Sequence, residues 1–141
     1  MTEPINAPDR WRDHDFRLPE IARFIDVPGK TLDDWLSRSR ALGFPPGVSA
    51  GRFRFYSGAH VFAVAMLAKL RHIGVGVDSA TIAGAFSVAF DATGAPRIPA
   101  PGTKWEVANA RGAEISVDAW LAFVAARAFA ERARIREHRH G

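Results

Sequence analysis

The chain contains no cysteine, which removes disulfide scaffolds, thiolate zinc sites, iron–sulfur clusters and cysteine nucleophiles together. It also lacks a long apolar run. The apolar run over residues 61–68 stops at Lys69, far short of the ~20 residues that span a bilayer. The N-terminus reads Met-Thr-Glu-Pro with Asp9, Arg10, Asp13 and Asp15 following, without the basic-then-apolar order of a signal peptide. The expectation is a cytoplasmic chain without membrane attachment. A third gap is local: no acidic residue falls between Asp34 and Asp78, while Arg38, Arg40, Arg52, Arg54, Lys69 and Arg71 all do. Such a stretch is either a solvated basic surface or the electrostatic footprint of a polyanion.

What is present is globular. The 141 residues are 48% hydrophobic and 24% charged, with a net charge of +4. That suits one domain, or a small domain with an appendage, and can bury a core. Residues 1–15 carry Pro4, Pro8 and mixed charge with only Ile5 and Trp11 as large apolar groups, and read as a flexible arm. A first helix begins near Pro19, with Leu18, Ile21, Ala22 and Ile25 on one stripe. Asp26-Val27-Pro28-Gly29 breaks it, and a second helix over residues 30–40 buries Leu32, Trp35 and Leu36. Two short helices about a tight turn form a helix-turn-helix pattern.

After Gly43-Phe44-Pro45-Pro46-Gly47, the run Val48-Ser49-Ala50-Gly51-Arg52-Phe53-Arg54-Phe55-Tyr56 reads as a small turn leading into a strand. A period of two predicts Phe53 and Phe55 on one face and Arg52, Arg54 and Tyr56 on a basic outer face. Ser57 is placed to cap a third helix ended by Gly74, and Asp78 or Ser79 a fourth with Ile82, Phe86 and Phe90 inward. Residues 91–102, rich in Pro and Gly, read as an extended linker. Alternation in Lys104-Trp105-Glu106-Val107 and Glu114-Ile115-Ser116-Val117 predicts a β-hairpin turning at Asn109-Ala110-Arg111-Gly112. A long last helix follows from Ser116 or Asp118, striped by Trp120, Val124, Ala128 and Ile135 and widened by Leu121, Ala125 and Phe129. Arg132, Arg134, Arg136 and Arg139 crowd its end.

In order and near-spacing, Leu18-Pro19-Glu20-Ile21-Ala22, Val27, Thr31-Leu32 with Trp35, Gly51-Arg52-Phe53-Arg54-Phe55-Tyr56-Ser57 and Leu70-Arg71-His72-Ile73-Gly74 resemble the MerR-type winged helix-turn-helix family of transcription regulators. The likeness covers residues 16–75, about half the chain. It implies a winged helix-turn-helix domain over 16–90. The linker at 91–102 and the hairpin stand where the family usually carries a long coiled-coil helix, and the hairpin plus long C-terminal helix over 103–141 are expected to dimerise, so the chain as a whole reads as mostly α. The resemblance implies that Lys30, Thr31 and Arg38 lie on or beside a recognition helix in the DNA major groove. Arg52, Arg54 and Tyr56 would be wing contacts to the phosphate backbone. Asp33 and Asp34 stand where the family usually carries basic or aromatic residues; a carboxylate there repels phosphate but can accept a hydrogen bond from cytosine N4.

The implied function is sequence-specific binding of double-stranded DNA by a homodimeric transcription regulator, without catalysis, cofactor or metal. The alternatives are an architectural or phage-type DNA-binder (an excisionase or a packaging recognition subunit) and a protein-docking module. Gly29-Lys30-Thr31 ends like a phosphate-binding loop, but Phe24 occupies the position of that motif's first glycine, and no strand precedes it. His60 and His72 lie twelve apart on one helix, His14 is isolated, and His138-Arg139-His140 reads as a solvated tail. A small-molecule pocket walled by Trp105 between hairpin and last helix is a further possibility.

Overall fold

Asp26 has a left-handed backbone, φ 54°, and marks the corner at which one helix gives way to the next. The computed structural model describes residues 11–108 and 114–140, with side chains through residue 132. A two-residue strand β1 (Phe16–Arg17) runs into α1 (Leu18–Ile25), and α2 (Gly29–Ala41) follows the Asp26 corner. Pro19 lies in the first turn of α1, where its missing N–H is harmless. Val27, in the corner, is buried, as are Leu32, Trp35 and Leu36 beneath α2. Then come β2 (Val48–Ala50), β3 (Phe53–Tyr56), α3 (Gly58–His72), α4 (Ser79–Ala89), β4 (Lys104–Ala108), β5 (Glu114–Asp118) and α5 (Ala119–His140). The chain is mostly α, with two small antiparallel sheets ordered β1-β3-β2 and β4-β5.

The helix starts follow from side-chain capping. Ser57 accepts from the His60 N–H, Asp78 from the Thr81 N–H at 2.8 Å, and Asp118 from the Leu121 N–H at 3.0 Å. The Thr81 hydroxyl together with its N–H holds the Asp78 carboxyl below the usual aspartate range, and the Leu121 N–H does so for Asp118. Gly74, φ 84°, ends the α3 turn.

Helix α3 is buried along almost its whole length, and α1, α4 and α5 close around it. Val61, Phe62, Met66, Leu67 and Leu70 are solvent-free. Phe62 meets Phe123 of α5 edge-on at 5.8 Å, and Phe129 stacks on Phe24 of α1 at 4.5 Å. Trp105 and Val117, paired across the second hairpin, belong to the same core.

Three sequence expectations are corrected here. The arm does not extend through residue 15. Trp11 is 3% exposed and meets Phe123 at 5.4 Å, and it fills the space above Gly58, where a Cβ would lie 2.3 Å from the indole. Residues 91–97 are not an extended linker, because they fold back on α4. Asp91 Oδ1 accepts from the Thr93 and Ala95 N–H groups, and Arg97 N–H donates to Ala89 O at 2.8 Å. The helix-turn-helix region and the C-terminal region are not separate units, since one hydrophobic cluster runs from Trp11 to Ala126. Helix α5 lays Ala119, Ala122, Phe123 and Ala126 on the core, while of the stripe expected from sequence Trp120, Val124, Ala128 and Phe129 are half-buried and Leu121 and Ala125 exposed. Residues 1–10, the hairpin tip at 109–113 and the side chains of Arg134, Ile135, Arg136, His138, Arg139 and His140 lie outside the described residues.

Candidate nucleic-acid interface

The first hairpin closes with Ala50 opposite Phe53, leaving Gly51 and Arg52 as a two-residue turn. Gly51 has φ 63° and Arg52 does not share the positive φ, the type II′ geometry whose twist matches antiparallel strands. Strand β1 joins the other edge of β3, pairing Phe16 with Tyr56 and Arg17 with Phe55. Partners across a sheet share a face. Phe16, Arg54 and Tyr56 therefore lie on one side, and Arg17, Val48, Ala50, Phe53 and Phe55 on the other.

The period of two holds, but the sides are reversed. Phe16 and Tyr56 are buried, whereas Phe53 is 43% and Val48 50% exposed. The side bearing Arg54 turns toward the body of the protein and the aromatic side outward. Burial decides this: Tyr56 packs edge-on against His60 at 5.4 Å, and Phe16 against Phe129 at 5.1 Å.

Between this sheet, the start of α1 and one flank of α2 runs an open groove of about 180 Å³. Arg17, Leu18, Pro19, Asp33, Arg40, Arg52, Phe53, Arg54 and Tyr56 line it. Four arginines, drawn from both sides of the sheet, its turn and α2, thus line one groove with a single acidic residue. The Arg17 guanidinium lies 3.9 Å over the Phe53 ring, a cation–π contact that orients it. Arg40 is held by two acceptors, Nη1 donating to the Tyr56 hydroxyl at 3.4 Å and Nη2 to Ser37 Oγ at 3.1 Å. Burial pushes the Tyr56 phenol up, partly offset by Arg40 and Arg54, so its hydroxyl stays protonated. Tyr56 is 2% exposed; rather than forming an outer contact, it positions Arg40.

Of the residues singled out from sequence, Arg52, Arg54 and Tyr56 meet at this groove, and Lys30, Thr31 and Arg38 do not line it. Lys30 is exposed and Thr31 half-buried. Arg38 pairs with Asp34 at 3.2 Å. At about 100° per residue, Arg38 and Arg40 point roughly 160° apart around α2, which places Arg38 on the flank away from the hairpin. Arg17 was missed, and Arg40 was placed only in the basic stretch and not among the site residues. Arg40 was legible, because it lies seven residues after Asp33 on the same flank. Arg17 was not, since a two-residue strand leaves no periodic trace.

A second polar arrangement lies beneath the hairpin. Ser57 Oγ and His60 Nδ1 are 2.7 Å apart, and His60 Nε2 donates to Pro45 O at 2.8 Å. With Nε2 carrying the proton, Nδ1 accepts from the Ser57 hydroxyl and backbone N–H. Both residues are at most 2% exposed, so this serine–histidine contact meets protein rather than substrate and fastens α3 to the loop before β2. Burial lowers the His60 imidazole to about 4. Trp105 is buried over Gly84. A mainly apolar hollow of about 190 Å³ lies elsewhere, between α1, α3 and α5. Among the described residues no three His, Asp or Glu side chains gather as a metal site, and no helix is long and apolar enough to cross a membrane. Comparison with protein-family models, curated proteins and solved structures returned no significant match.

Proposed function

We propose that this chain is a winged helix-turn-helix protein that binds double-stranded DNA as a transcription regulator, as its resemblance to the MerR-type family implies. The observation that carries the proposal is the convergence of Arg17, Arg40, Arg52 and Arg54 on one groove between α2 and the first hairpin. None of the four forms an ion pair with a described carboxylate, so their charge is available to a polyanion. Guanidinium forks suit phosphate oxygens. Helix α2, 13 residues and so about 20 Å long, suits the ~12 Å width of a major groove. In this arrangement the exposed arc of α2, with Lys30, faces base edges, while the hairpin and Arg17 hold the adjoining backbone. Two copies would place their α2 helices about 34 Å apart on a two-fold site.

The test is a mobility shift on a random duplex across a salt series. Four phosphate contacts predict a slope of log affinity against log salt of about −3 to −4. Arg54→Ala should weaken binding to every sequence and flatten that slope by about one unit; an unchanged slope would remove the hairpin from the interface. No shift at low salt would overturn the proposal. A second possibility, protein docking, would then stand on the exposed Val48, Ala50 and Phe53 side of the hairpin.

A further inference from the structure

Helix α2 presents two carboxylates, and their surroundings differ. Asp34 pairs with Arg38 at 3.2 Å. Asp33 is exposed, lines the groove among the four arginines, and makes neither hydrogen bond nor ion pair to a described residue. Against a phosphate backbone such a group is repulsive, so for general DNA affinity it is a defect. Its position is the fifth residue of α2, in the N-terminal half of the helix, from which recognition helices reach base edges.

Resting on the DNA-binding proposal, we infer that Asp33 selects cytosine at one position of the DNA site. An ionised carboxylate only accepts hydrogen bonds. In the major groove, guanine presents acceptors alone, thymine an acceptor and a methyl group, and adenine a donor beside the N7 acceptor. Cytosine presents only its N4 amino donor, so it is the base an unpaired carboxylate does not oppose. The surrounding arginines hold the flanking phosphates. Asp33 therefore lowers affinity for arbitrary sequence while raising discrimination.

Binding-site selection from a random duplex pool, with the full chain and at one salt concentration, tests this. The wild type should prefer cytosine roughly 10-fold or more at one position. Asp33→Ala should flatten that position and bind random duplex more tightly than the wild type. Asp33→Asn, whose amide pairs with adenine N6 and N7, should shift the preference to adenine. Unchanged base preferences in both variants would overturn the inference. A wild type that binds every sequence equally, with its salt slope intact, would overturn it while leaving DNA binding standing; a wild type that binds no duplex at low salt would overturn both.

Discussion

His60 is a base kept uncharged by its surroundings. Phe86, Phe90 and Tyr56 border its ring, and burial holds its pKa near 4 against about 6.5 in an unfolded chain. The unfolded chain therefore binds a proton that the folded chain refuses as pH falls from 6.5 toward 4. Stability is full above pH 6.5 and is lost on acidification, by about 2 kcal/mol between pH 7 and pH 5. Urea unfolding of the wild type and His60→Gln at both pH values isolates this contribution. The variant should be less stable at pH 7 and lack that part of the fall; an equal fall in both would refute the assignment. At this scale the sequence showed only part of the structure. Ser57, Asp78 and Asp118 as helix caps were readable, because capping is local. The pairing of Trp11 with Gly58 was not, because the two meet only when the N-terminal strap crosses α3.

Among the elements, the first hairpin depends on Gly51. Open space surrounds the position a Cβ would take there, so Gly51→Ala meets backbone strain alone. With φ 63° the cost is about 1–2 kcal/mol, which a lowered urea midpoint would record. Because the strain falls on the turn that aims Arg52 and Arg54, the proposed function requires DNA affinity to fall in the same variant. Strand alternation was legible from composition, and both hairpins form where it put them. Which side of β3 faces inward was not legible. A period of two is symmetric between its faces, and Tyr56 gained the interior through contacts with His60, across the start of the next helix, and with Arg40, on the helix before the hairpin. On α2, spacing alone could sort residues into flanks, but the hairpin's position decided which flank became the groove.

For the molecule as a whole, α5 crossing α3 joins the two halves of the chain. Phe123 is solvent-free and touches Trp11, Phe62 and Trp120. Phe123→Ala should cost about 3–5 kcal/mol. Because the core is continuous, circular dichroism of the helices and tryptophan fluorescence should follow one coincident urea transition. Two separated transitions would show independent units. Sequence by itself determined the helices, their caps and corner, the alternating strands and the basic stretch without acidic residues between Asp34 and Asp78, because each depends on residues a few positions apart. Tertiary structure decided that the residues after 90 belong to the first core, that α5 turns Ala122, Phe123 and Ala126 inward, and that Arg17 and Arg40 join Arg52 and Arg54. Those outcomes depend on which apolar surfaces find one another in three dimensions, and burial favours any pairing that removes enough area from water. Local periodicity shows that a face must be covered; the arrangement of all the faces selects its cover.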